Sequence, residues 1–525
     1  TTGNNVRVYS ANTYKSGSAA AIGKRALGAM RKKVDCLLLA VLALSLSGCQ
    51  TAAQMPNAHF DSISGSTSGS NSTSGGTLGS AKETPQPQPV EANKQQAEQT
   101  ATATPPLEDK KAGRIFQHYL SGVLAESRGQ MAKAGQHYMR AMRADENNTY
   151  LQNKAFSLLL ASGNYLDATQ VAKAIISGQP EDVQPLVQML LIFDDAITGN
   201  TEKARKRLAE MRRNAPNLIQ FELIDLYIRL AQGADPQALV EELKSFQVGA
   251  GMLVYKYYHL GRLHRHAGQP QEAMNAFHSG KMVDPGSLFV VSALADMYIA
   301  TGAHQKAEQA LEGFLNLNPK SLLVYMVMKN AAQEKPLTLE KPSISSDLSE
   351  VMYGLASLMV GKEVDIAARQ FLHLALMAKS DNHLARFMLG LVEEKAHNYA
   401  QAKQSYEKIP KATAPYLAAQ VRIGQVLHKT DTAQKAIGHI KKLTETYPDV
   451  PRLHQPLAQL YHDQKNYQQA AQQYTVVIEE IAQPARRHAA LYFARGAVYE
   501  RLGKYQKAAQ DMETSLELEP NNPVV

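Results

Sequence analysis

Side chains suited to covalent or metal chemistry are few and badly spaced. The 525 residues hold two cysteines, Cys36 and Cys49, no tryptophan and 16 histidines. Two cysteines exclude a disulfide scaffold, a four-cysteine zinc site and a cysteine-bound cluster. GSAAAIGKR (17–25) approaches a phosphate-binding loop, but Gly17 and Gly23 stand one residue too far apart and Arg25 replaces the Ser or Thr. Neither an H-E-x-x-H zinc helix nor a G-x-S-x-G nucleophile turn occurs. His264 and His266 are two apart, about 200° around a helix, so they cannot share one metal ion. With no nucleophile, metal set or phosphate loop, the expectation is a protein that is no enzyme, with no cofactor and no metal.

The formal charge of +8 invites a nucleic-acid reading, but most of it sits at one end. Residues 1–48 carry seven Lys and Arg against Asp35 alone, a net +6. The rest of the chain lacks the clustered cations that neutralise phosphates, so nucleic acid is not an expected partner. The basic end has its own logic. From Met30 it reads MRKKVDCLLLAVLALSLSGCQ: a positive start, an apolar run from Cys36 to Leu46 and a small-residue exit. That is a secretory signal, about half the length a membrane-spanning helix needs.

Leu46-Ser47-Gly48-Cys49 resembles the bacterial lipobox. The resemblance implies cleavage between Gly48 and Cys49, and acylation of the Cys49 thiol and its new amino group. Residues 30–48 are then a lipoprotein signal peptide, and residues 1–29 a mis-assigned start or leader extension. Gln50 is not the Asp that, in the best-known sorting pathway, retains lipoproteins in the inner membrane. By that resemblance the chain is lipid-anchored in the outer membrane, facing the periplasm.

Residues 49–108 read as a disordered tether. Between Asp61 and Ser80, 16 of 20 residues are Ser, Gly or Thr, and five prolines follow from Pro85 to Pro106. Such a composition buries too little apolar surface to offset chain entropy. As a random coil it spans roughly 40–45 Å.

Beyond it one spacing dominates. Alanines stand at 134, 168, 204, 238, 273, 307, 368, 402, 436, 470 and 508, mostly 34 residues apart, with a gap of 61 after Ala307. Five residues before them come Gly129, Gly163, Gly199, Gly233, Gly268, Gly302 and Gly503. Twelve residues after six of them stands a proline, Pro285 and Pro319 among these. Glycine suits a tight turn between antiparallel helices, alanine their closest approach, and proline a stop before the next pair. A large apolar residue follows most of the alanines by four, on the same helical face.

These markers resemble the tetratricopeptide repeat, a 34-residue helix–turn–helix, over roughly residues 115–520. The clearest copies lie at 255–285, 288–319 and 492–520. The implied fold is all-α: a right-handed solenoid of about 11 repeats behind the tether. Repeats 1–6 occupy 109–320, a helix and loop interrupt the ladder at 321–348, and repeats 7–11 occupy 349–525. The fourth repeat, near Gly233 and Ala238, keeps little else of the pattern.

In this family the first helix of each pair lines an inner groove where partners bind. The matching positions are Tyr255, Tyr258, Arg262, Arg265 and His266 in the fifth repeat, and Phe387, Lys395, His428, Lys429, His462, Phe493 and Arg501 beyond the gap. The Lys and Asn set that clamps a terminal carboxylate in some members is missing. The expected function is an outer-membrane scaffold or adaptor that binds proteins. By its architecture and length it resembles lipoproteins that partner carboxyl-terminal processing proteases and bring them peptidoglycan hydrolases. The alternative is an assembly lipoprotein for a pilus, secretion or polysaccharide export complex. An uncapped last repeat would also offer a surface for self-association.

Overall fold

The computed structural model describes residues 107–178, 183–213, 218–334, 337–360 and 365–520. Gly48, Cys49, the leader and the tether lie outside them. The described residues form 23 α-helices and no strand. The first twelve make six pairs: α1 (Leu107–Ser127) with α2 (Met131–Ala144), α3 (Thr149–Ala161) with α4 (Tyr165–Gly178), α5 (Pro185–Ile197) with α6 (Thr201–Arg212), α7 (Ile219–Ala231) with α8 (Pro236–Ser245), α9 (Leu253–His266) with α10 (Pro270–Val283), and α11 (Leu288–Ala300) with α12 (His304–Leu317). A single helix, α13 (Leu322–Ala332), follows. Five more pairs complete the chain: α14 (Ile344–Met359) with α15 (Asp365–Ala378), α16 (His383–Lys395) with α17 (Tyr399–Glu407), α18 (Tyr416–Thr430) with α19 (Ala433–Thr446), α20 (His454–Asp463) with α21 (Tyr467–Glu479), and α22 (Ala489–Arg501) with α23 (Tyr505–Leu518). This is an α-solenoid of tetratricopeptide-type helix pairs.

The turns explain the glycine ladder. All seven turn glycines adopt positive φ, from 68° at Gly129 to 90° at Gly233. In each such turn except that at Gly199, the residue after the glycine donates its N–H to a carbonyl five residues back, as Gln130 does to Ala125 at 2.9 Å, which closes the first helix. Where the ladder lacks glycine, His397 and Lys465 take the same left-handed conformation with φ of 60° and 58°.

Ten of the eleven ladder alanines are 4% exposed or less, because the paired helices meet there. Ala238 is the exception. It lies exposed on α8, while Leu239, Val240 and Leu243 turn inward. Asp235 starts that helix by accepting from the N–H groups of Gln237 and Ala238, with Pro236 at its first position. A cap placed there rotates the short helix by one residue relative to the ladder.

Facing the large residue four after each alanine, several first helices carry their own glycine. A Cβ on Gly261 would lie 2.5 Å from the Phe277 ring, and one on Gly122 3.0 Å from that of Tyr138. These close approaches let the two helices of a pair seat a ring between them.

The chain divides into two units. One comprises residues 196–314 and 328–397, the other residues 107–195, 315–327 and 398–520 of those described. In the second unit, Leu322, Tyr325 and Met326 of α13 pack on a core that includes Val421, Ile440, Leu453 and Leu457. Arg452 reinforces this packing: its guanidinium lies 4.8 Å from the Tyr325 ring centre and donates to the Pro319 carbonyl at 2.8 Å. In the first unit, Ser343 caps α14 in a reciprocal box with Ser346, so the helix begins within the interval where the ladder breaks.

Candidate protein-binding face

Five of the residues placed on the inner wall belong to α9, and α14 meets all but one of them directly. Arg262 donates to Oδ1 of Asp347 through Nε at 3.1 Å and Nη2 at 2.6 Å. Nε2 of His266 lies 2.7 Å from Oδ2 of the same carboxylate. Tyr258 donates to Glu350 at 2.6 Å, and Tyr255 to the Val351 carbonyl at 2.6 Å. Arg265 reaches the loop before α14, donating to the Glu340 carbonyl at 2.8 Å. Asn382 completes the arrangement, with its amide donating to Ser349 at 3.0 Å and Glu350 at 3.2 Å.

These five residues therefore do not wall an open groove. The chain's own helix occupies that face, and Tyr255, Tyr258 and Arg262 are buried beneath it. The physical reason is complementarity: α14 brings carboxylates to a face rich in phenol, imidazole and guanidinium. Burial works against the charge of Arg262, but Asp347, Tyr258, Glu350 and Tyr227 together outweigh it and hold the group above its ordinary range. Burial raises the Tyr258 hydroxyl, and Glu350 raises it further. His259, whose Nδ1 lies 2.8 Å from the Tyr227 hydroxyl, is pushed the other way by burial and then by Arg262. Asp296 of α11, near Arg265 and Glu350, is raised by burial to about 6.

The remaining positions are spread along the array. Phe387 and Lys395 are half-buried on α16. In the second unit His428 and His462 converge on a residue the sequence reading did not single out, Asp463. Its two carboxylate oxygens lie 3.5 Å from Nε2 of His428 and 3.5 Å from Nδ1 of His462. Gln459 donates to the same carboxylate at 2.8 Å. Lys429 and Arg501 are exposed, and Phe493 is half-buried. Asp347, Glu350 and Asn382 were also missed, since their partners lie 81 to 92 and 32 to 33 residues away and no local periodicity marks such a pairing. The accessible imidazoles and cations suit polar contacts to a protein surface; among the described residues no group of three or more His, Cys, Asp or Glu could hold a metal ion.

Residues 489–522 match the tetratricopeptide repeat model. That stretch covers the α22–α23 pair, whose left-handed turn at Gly503 recurs at Gly129, Gly163, Gly233, Gly268 and Gly302. No curated protein matches the chain in sequence. Among solved structures it is similar to yeast Tom70, at 14% identity over 78% of this chain and 86% of that one, with a TM-score of 0.31. It is also similar to a tetratricopeptide repeat protein from Parabacteroides merdae, at 15% identity over 52% and 96%, with a TM-score of 0.29. A third is YrrB, described as a tetratricopeptide repeat protein with an unusual peptide-binding site, at 19% identity over 33% and 87%, with a TM-score of 0.24.

Proposed function

We propose that this chain is a protein-binding scaffold held at the periplasmic face of the outer membrane by acyl chains on Cys49, and that it brings a carboxyl-terminal processing protease to peptidoglycan hydrolases. The observation that carries the reading is one covalent sequence: the lipobox-like Leu46-Ser47-Gly48-Cys49, a long Ser/Gly/Pro tether and an array of eleven helix pairs. The tether gives the array reach from the membrane. The array holds two partners at once and raises their effective concentration without doing chemistry itself. Accessible contacts come from Lys429, His462 and Arg501 rather than from the covered face of α9.

Affinity capture of the chain from a detergent-solubilised envelope, followed by mass spectrometry, tests this. A serine protease together with wall hydrolases is the expected catch, depleted when Lys429, His462 and Arg501 are changed to alanine. A stoichiometric pilus, secretion or polysaccharide export subunit without a protease would overturn the adaptor in favour of an assembly factor. Intact mass of the purified chain reads acylation of Cys49 separately.

A further inference from the structure

Arg262, Arg369 and Arg495 point inward, and each holds a carboxylate: Asp347 at 2.6 Å, Glu393 at 2.8 Å and Asp511 at 2.7 Å. Arg452 does not. It stands in the 3-10 turn Pro451–Leu453 ahead of α20, where Nη2 is taken by the Pro319 carbonyl and the guanidinium lies over the Tyr325 ring. Its Nη1 is closed off from solvent and has no hydrogen-bond partner. A guanidinium keeps its charge, so an orphaned donor there costs more than one on a neutral group. Burial depresses the group most and Arg487 depresses it further, to about 10, with only Tyr325 acting the other way. No carboxylate acts on it.

The chain segments around it repeat the imbalance. Residues 315–333 and 481–499 contain no Asp or Glu. Lys320 is exposed beside Pro319, and Arg487 donates to Asn316 at 3.2 Å. Of the carboxylates nearest in sequence, Glu519 holds Arg486 at 2.9 Å, while Glu312 and Asp449 are exposed and leave Arg452 untouched. Lys320, Arg452 and Arg487 all belong to the second unit, as do the half-buried Leu322, Tyr325 and Met326.

We propose that Arg452 anchors a site for an Asp or Glu side chain carried by a partner protein, with Lys320 and Arg487 at its rim. The partner's carboxylate completes Arg452 as Asp347 completes Arg262, by the two-pronged geometry that suits arginine better than lysine. The contact between Arg487 and Asn316 is exposed, so it can part and admit the group without opening the core. Tyr325 and its apolar neighbours favour a peptide over a free inorganic anion, and Tyr and Arg are residue types enriched at binding hot spots. The inference rests on the reading of the chain as a protein-binding scaffold and adds the chemistry that one of its sites selects.

The test titrates the detergent-purified full chain with end-capped hexaglutamate and, in separate arms, with acetate and with inorganic phosphate, each against chloride at fixed ionic strength. Calorimetry reads binding, and thermal unfolding reads the shift in Tm. Hexaglutamate should bind saturably and raise Tm, with acetate and phosphate far weaker. Arg452→Met should weaken hexaglutamate binding at least about tenfold, the worth of a charge-assisted hydrogen bond. Without ligand that variant should melt no lower than the parent, because it removes a buried charge that no carboxylate offsets. Should it melt well below the parent, Arg452→Lys decides: lysine keeps the charge and loses the fork, so its binding should also fall. No binding, equal binding by Arg452→Met, or unchanged binding by Arg452→Lys overturns the inference. Acetate or phosphate binding as tightly as hexaglutamate through Arg452 would make this a free-anion site and overturn the protein partner. Capture of a protease and hydrolases that ignores Arg452→Met would sink this site and leave the scaffold standing. Hexaglutamate binding at Arg452 with no protein captured would do the reverse.

Discussion

Arg262 and Asp347 meet at 2.6 Å across 85 residues of sequence, with side chains only 10% and 1% exposed. Each is the other's counter-charge in a place where neither has water enough to stand alone.

Removing one partner should therefore cost far more than removing both. Asp347→Ala leaves Arg262 buried and uncompensated and should destabilise the fold by about 3–5 kcal/mol, read from urea unfolding. Arg262→Met with Asp347→Leu should recover most of that loss. A double variant as unstable as the single one would show that the pair is not the origin.

Asp296 gives a pH dependence of defined sign. Its carboxyl is held at about 6 against an ordinary 3.8, so the folded chain keeps a proton that the unfolded chain has released. The stability linked to that proton is complete below pH 4 and is lost as the pH rises to about 6. Asp296→Asn, neutral throughout, should raise stability at pH 8 by about 2–3 kcal/mol. At pH 4 the two proteins should unfold alike, and a gain independent of pH would refute the assignment.

Gly261 has no room for a methyl group, since a Cβ would sit 2.5 Å from the Phe277 ring. Gly261→Ala should lower stability by about 1–3 kcal/mol, even though alanine is the better helix former. Adding Phe277→Leu should restore part of it. A neutral or stabilising Gly261→Ala would mean that the ring moves aside freely.

Lys465 stands in a left-handed turn at φ 58° where other repeats place glycine. Lys465→Gly should stabilise by about 1 kcal/mol, as thermal unfolding would register. Gly503→Ala, at φ 70° in the equivalent turn, should cost a similar amount.

The helix pairs were legible because each depends on neighbours in sequence. A glycine fixes the turn, an alanine five residues on fixes the crossing, and both recur. Ala238 shows the limit of that logic: Asp235 and Pro236 set where α8 begins, and a cap outranks a ladder when the helix is short. The binding face was legible only as a list of inward positions. Which of these stay open depends on whether another helix lies over them, and α14 lies over those of α9. His428 and His462 were read singly for the same reason, since Asp463 joins them only across helices.

In a simple repeat stack each pair touches only its neighbours, and the array can melt pair by pair. The carboxylates of α14 tie the seventh pair back to the fifth, so in the unit of residues 196–314 and 328–397 contacts are no longer nearest-neighbour. Loops closed over more than 80 residues slow folding but join the melting of everything they enclose. That unit should unfold as one cooperative block, with amides of α9 and α14 exchanging at a common rate.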